Sequence, residues 1–178
     1  PAPTEIYTLS RHDALPVFEW SNMTVKLEAA LLRRGETAPG WMLHYAQALF
    51  ETGMKSGWNV DGLPGMVYTI DWDHKPHVPS RVHWAHAEAL TAAINLYKRT
   101  GNPHYEHWYR TIWDYIDTTL IDRDFGSWFN EVSPEGEPTE YIYKGKGDLY
   151  HAYQSTLAPM MPLAPSLATA IEQIGVPY

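Results

Sequence analysis

Two apolar stripes of helical period, separated by Gly101-Asn102-Pro103, constrain this chain more than any other feature. From Arg81 onward, Leu90, Ala93, Ile94 and Tyr97 recur at three- and four-residue spacing and stop at Gly101. The period resumes after Pro103 with Tyr105, Trp108, Tyr109, Ile112 and Ile116. Glycine suits the left-handed residue that ends a helix, and proline suits the first turn of the next. The stretch therefore predicts a helical hairpin, and its apolar faces need further helices to cover them.

A similar pattern precedes it. Phe18 to about Arg34 reads as a helix with Met23, Leu27, Ala30 and Leu31 as its apolar stripe. Thr37-Ala38-Pro39 then offers an N-cap to a second helix, with Trp41, Tyr45, Ala48 and Leu49 as its stripe and an end near Gly53 or Gly57. Between Trp58 and Pro79 the residues turn β-branched and aromatic around Asp73-His74, which predicts a β-hairpin. The stretch Asp124 to Pro138 has strand-like and turn-like pieces, and a third helical pair is expected to begin near Asp148 and restart near Ser166. The expectation is an all-α chain of three helical hairpins with short β decorations. Helix, loop and helix recur at roughly 60-residue intervals, as in a toroid or solenoid. Such hairpins leave an apolar face open until a neighbour covers it, so three of them are expected to dock against something more.

Composition narrows the function classes. The 178 residues carry a formal charge of −8 with no basic run, which disfavours nucleic acid and anionic membrane surfaces as partners. No stretch of 18 apolar residues suggests a membrane span. Zero cysteines remove thiol nucleophiles and Cys-ligated zinc, and fit a cytoplasmic protein slightly better than a secreted one. Chemistry must come from His, Asp, Glu, Lys, Tyr or a metal.

Among these groups His151 stands out, in an apolar helix-compatible stretch behind Asp148. On the residues alone, a single histidine there is more often structural than catalytic. Asp148 reads as the N-cap of its helix, placed to position His151. Trp84 and Glu88, four residues apart, share one helical face. A carboxylate among Ala85, Ala87, Ala89 and Leu90 needs a partner if buried, which a ligand hydroxyl or a histidine could supply. His83 and His86 flank them, but no HExxH-type spacing marks a metal site, and none is expected. Trp108, Tyr109, Trp113 and Tyr115 read as packing residues, Lys144 and Lys146 as a solvated loop, and His104 and His107 as surface positions.

In order along the chain, "VYTIDWD", "HWAHAEAL", "GSWF" and "GDLYHAYQ" resemble the C-terminal part of the N-acylglucosamine 2-epimerase superfamily, within it the aldose-ketose isomerase branch. The resemblance runs from Phe18 to about Ala168. It implies an (α/α)6 barrel of six helical hairpins in a chain about twice as long, so residues 1–178 would be the C-terminal part of one barrel domain whose N-terminal half lies outside this chain. It also implies a cofactor-free proton transfer through an enediol intermediate on a monosaccharide. By the same resemblance the histidine of "D-x-Y-H", His151, is the catalytic base. Trp84 and Glu88 line the sugar pocket, and Glu19 belongs to the catalytic set.

One landmark departs from the family. Its "G-H-x-x-E-W" reads "LPVFEW" here, so Glu19 and Trp20 match while Pro16 occupies the histidine position. Proline cannot carry a proton; His12 could replace that group only if its loop bends back. The departure weakens epimerisation more than isomerisation, because one base on one face can shuttle a proton between adjacent carbons. Three further readings stay open: a 2-epimerase, a catalytically degraded toroid used for binding or assembly, and a glycoside hydrolase using Glu19 and Glu88, which leaves "DLYHAYQ" without a role. The partners consistent with all this are a monosaccharide, the other half of the barrel and a second copy of the chain.

Overall fold

The computed structural model describes residues 12–13, 16–71 and 73–175. Three helical pairs follow one another: α1 (Pro16–Arg33) packs against α2 (Trp41–Gly57) and α3 (His83–Thr100) against α4 (Pro103–Tyr115) as hairpins, while α5 (Leu149–Leu157) and α6 (Leu167–Ile174) form a looser third pair with little direct contact. Pro16 and Pro103 open their helices, and Gly101 closes α3 with φ 68°. Asp148 and Ser166 cap α5 and α6 through their side chains. Helix α2 departs from expectation: its cap is Gly40, not Thr37, and no side chain caps it. Helix α4 runs on into a π-helical turn, Ile116–Leu120.

Small strands tie the loops together. β1 (His12–Asp13), β2 (Thr69–Ile70) and β3 (Pro76–Val78) form an antiparallel sheet, with the expected turn between β2 and β3 and His74 at φ 59°. β4 (Arg81–Val82) pairs with β5 (Glu131–Val132), placing the start of α3 beside the 128–147 segment. Glu131 is buried and its Oε2 accepts from the backbone N–H groups of Ile142 and Tyr143, at 2.7 and 3.0 Å, which pins the loop leading to α5.

Helix α3 is the centre of the chain and packs against α1, α4 and α5. Its alanines Ala85, Ala87, Ala89, Ala92 and Ala93 are all buried, letting neighbouring helices approach on every side, as befits an inner helix. An ion pair between Arg99 and the buried Glu28, and an Asn95–Asn22 hydrogen bond of 2.8 Å, join α3 to α1.

The first hairpin corrects the expected packing faces. In α1, Met23 and Leu27 are about half exposed, and the buried face is Phe18, Ser21, Asn22, Val25 and Glu28. In α2, Trp41 and Tyr45 point outward while Met42, Ala46 and Phe50 are buried. The expected stripes are thus only partly covered, with Ala30, Leu31 and Leu49 half-buried. The seam itself uses small or polar residues: the Ser21 hydroxyl donates to the Ala46 carbonyl at 2.7 Å, and Gly53 sits against the Phe18 ring. Lys146, expected in a solvated loop, instead pairs with Asp122 and lies 4.6 Å above the Phe129 ring. Among the described residues, no helix is long and apolar enough to cross a membrane.

Candidate active site

His151 lies in the first turn of α5, where the Asp148 cap fixes it twice. Asp148 Oδ1 accepts from the His151 backbone N–H at 2.9 Å, and the carboxylate oxygens stand 2.9 and 2.8 Å from Nδ1. His151 Nδ1–H therefore donates to the Asp148 carboxylate, leaving Nε2 with a free lone pair. Nε2 points toward Glu88 of α3, 3.8 Å from Oε1. Burial works against the charge on Asp148, but the hydrogen bonds from the backbone and side chain of His151 outweigh it and hold its pKa down at about 2.

Around Nε2 is a cleft of about 180 Å³. Helix α1 contributes Glu19, Asn22, Met23 and Lys26, α3 contributes Glu88 and Thr91, and α5 contributes Tyr150, His151 and Gln154. Burial raises the pKa of Glu88; His151 and Lys26 oppose it, Glu19 adds to it and Asn22 opposes it. Burial also lowers the pKa of Lys26, against the pull of Glu88. Glu88 Oε2 is buried with no hydrogen-bond partner among the described residues. A buried acceptor without a donor is unfavourable, and a ligand hydroxyl is one group that would satisfy it.

The expected residues thus come together from three helices. Glu19, Glu88 and His151 line one cleft, and Trp84 stands beside it with its ring 6.1 Å from His151. Trp84 is backed by Tyr68 at 6.2 Å, and Tyr68 shares a 2.8 Å hydroxyl hydrogen bond with Tyr143. Pro16 is the first residue of α1, one turn before Glu19. The side chain of His12 lies outside the described residues.

Sequence reasoning missed Lys26, Asn22 and Gln154. Lys26 and Asn22 sit seven and three residues after Glu19, and Gln154 three after His151, so each shares a helical face with a named residue. That spacing was a usable signal. His86 has a structural role: buried, with its pKa lowered to about 4 by burial, it accepts from Met66 N–H at 3.0 Å and donates to the Val82 carbonyl at 2.8 Å. His83, by contrast, stands 3.0 Å from Asp148 Oδ2, and His83, Asp148 and His151 bring potential ligand atoms within 4.8 Å of one another. The three are joined by hydrogen bonds among themselves.

The profile of the N-acylglucosamine 2-epimerase (GlcNAc 2-epimerase) family matches residues 16–155. A D-mannose isomerase of Pseudomonas cannabina pv. alisalensis is 51% identical over 86% of this chain and 37% of its own length. One from Thermobifida fusca is 48% identical over 89% of this chain and 38% of its own. Among solved structures, a D-mannose isomerase superposes with TM-score 0.75 at 23% identity, over 89% of this chain and 39% of the other. The cellobiose 2-epimerase of Spirochaeta thermophila gives 0.67 at 24%, over 92% and 38%. These likenesses place the three hairpins in the (α/α)6 barrel fold, and the chain spans less than two fifths of the curated relatives it matches.

Proposed function

From the premise that this chain belongs to the N-acylglucosamine 2-epimerase family, we propose that it forms part of a sugar aldose-ketose isomerase acting on mannose, fructose or a near relative. The observation that carries the reading is the placing of His151 Nε2 3.8 Å from Glu88 Oε1 in one cleft, with the other Glu88 oxygen, Oε2, buried and without a hydrogen-bond partner among the described residues. In the proposed reaction, His151 Nε2 removes the proton from C2 of the open-chain aldose and returns it to C1 through an enediol. An imidazole suits a transfer that must run both ways near neutral pH. Glu88 receives a sugar hydroxyl and follows the O1/O2 proton as the carbonyl migrates. Glu19, across the cleft on α1, serves hydroxyl or ring-oxygen protons, and Trp84 lends an apolar face to the sugar.

The uncovered apolar faces support a larger barrel. Trp20, Met23, Leu27, Trp41 and Tyr45 on the first hairpin, and Leu149, Tyr150, Tyr153 and Met160 on the third, are all exposed, whereas the middle hairpin is sealed. We read the two outer hairpins as edges that the remaining hairpins of the barrel cover. Residues from that part would complete the sugar site.

The test is solvent-deuterium exchange at C1 and C2 of mannose and fructose by the full-length protein without added metal. His151→Ala is expected to lower exchange by about a hundredfold or more. Exchange that survives the substitution removes His151 as the base. A wild-type protein without exchange leaves the scaffold reading instead.

A further inference from the structure

We propose that His83 is a positioning residue, holding the Asp148 carboxylate in the orientation that fixes the tautomer and aim of His151. The inference rests on His151 being the base proposed above.

His83 opens α3 and is 1% exposed. Its Nε2 faces Asp148 Oδ2 at 3.0 Å, while its Nδ1 is buried without a hydrogen-bond partner. In a neutral imidazole one nitrogen donates and the other accepts. A buried N–H without a partner is the rarer and more costly orphan, so the proton sits on Nε2 and is given to Asp148. Burial, ahead of the opposing pull of Asp148, lowers the pKa of His83 and favours that neutral form.

Asp148 alone would be a loose anchor. Its side chain is 48% exposed, and a carboxylate that only caps a helix can turn one oxygen to water. Here His83 claims Oδ2 from the α3 side, while the His151 backbone N–H claims Oδ1 from the α5 side. The carboxylate plane is thereby set, and both oxygens present acceptors to His151 Nδ1. The consequence is one tautomer of His151, with its lone pair on Nε2 and aimed at the cleft.

The backbone is fitted to the same arrangement. Gly147 immediately precedes Asp148, and a β-carbon there would stand 2.6 Å from His83 Cδ2 and 2.7 Å from Cγ. No side chain fits at that distance. Gly147 N–H donates to Trp128 O at 2.9 Å and His83 N–H to Asn130 O at 3.1 Å, so the 128–130 segment holds both residues.

Three variants of the full-length protein separate this role from packing. His83→Phe keeps a ring and removes the donor, His83→Gln keeps an N–H donor, and Gly147→Ala displaces the ring with every polar group retained. His83→Phe is expected to lower kcat for mannose–fructose interconversion about tenfold to a hundredfold, with KM within about twofold. His83→Gln should recover most of that loss. Nitrogen-15 NMR of labelled histidines should show a single Nδ1–H tautomer of His151 in the wild type and a mixture in His83→Phe. Equal damage from Phe and Gln, or an unchanged His151 tautomer, overturns the proposal. Should His83→Phe fail to fold, Gly147→Ala carries the test: a mixed tautomer supports the role and an unaltered spectrum refutes it. A wild-type protein that turns over no sugar defeats the isomerase reading alone, because the NMR comparison still decides for or against His83.

Discussion

Replacing Asp61 by asparagine should destabilise the protein by about 3–5 kcal/mol, although Asp61 lies in a loop outside the cleft. Its partner Arg81 begins β4 two residues before His83, and its side chain has no exposed area. Two guanidinium nitrogens reach the two Asp61 oxygens at 2.6 and 2.7 Å, and guanidinium N–H groups also donate to the carbonyls of Leu63 and Pro64 at 3.0 Å. At an effective dielectric of about 20, two charges about 4 Å apart attract by about 4 kcal/mol, and a neutral amide in place of the carboxylate would leave Arg81 buried without that compensation. The pH dependence gives a second arm. The Arg81 hydrogen bond leads the causes that depress the Asp61 pKa, with burial opposing. A depressed folded pKa contributes stability that is present above the unfolded value and is lost as pH falls through the folded one. The gap between wild type and Asp61→Asn should therefore be full at neutral pH and close on acidification below about pH 4. Denaturant midpoints across pH measure both arms, with Arg34–Glu36, an exposed pair at 2.6 Å, as a control of little consequence. A loss under about 1 kcal/mol at neutral pH, or a gap that ignores acid, would refute the argument.

Two further substitutions test the site and its support. Burial raises the Glu88 pKa, so folding penalises its charged form and stability from this group falls as pH rises through the folded value. Glu88→Gln should therefore be more stable than wild type at about pH 8, with the difference vanishing towards about pH 4. Its kcat/KM should fall about tenfold or more as a charged hydrogen bond to substrate is lost; thermal melts and initial rates check both. Alanine for glycine in a helix ordinarily stabilises by about 1 kcal/mol, but a β-carbon at Gly53 would stand 2.4 Å from Phe18 Cζ, and overpacking costs about 1–3 kcal/mol. Gly53→Ala should lower the melting temperature, and a raised one would show that the α1–α2 seam has slack.

The helices were legible because period and punctuation agree: Gly101 and Pro103, and the caps Asp148 and Ser166, end and start elements where the apolar repeats do. The faces of α1 and α2 were not. Both helices have two apolar sides, and period alone cannot say which is covered by α3. The answer lay in small and polar contacts, Ser21 on the Ala46 carbonyl, Gly53 under Phe18 and Asn22 on Asn95, that carry no hydrophobic signal. The candidate site was legible as a set of types, since Glu88 is a carboxylate amid alanines and His151 follows a capping aspartate. Its wiring was hidden, because His83 and Asp148 are 65 residues apart and meet through tertiary contacts, the α3–α5 packing and the 128–130 segment, that no local pattern announces.

Pro16 shows why a substitution can be harmless to the fold and consequential for chemistry. As the first residue of α1 it forfeits no helical hydrogen bond, since the N–H of that position has no intrahelical acceptor. Glu19 keeps its place one turn later on the cleft. What proline removes is an ionisable ring, so among the described residues the proton-carrying groups lining the cleft are His151, Glu88, Glu19, Tyr150 and Lys26. Inverting C2 needs proton delivery to the opposite face, whereas moving a proton between C1 and C2 needs one base on one face and a second group for the hydroxyl protons. His151 and Glu88, 3.8 Å apart, meet the second requirement without help from the α1 terminus. On the reaction proposed above, that geometry would serve isomerisation better than epimerisation, and placing a histidine there by Pro16→His should raise 2-epimerised product relative to ketose.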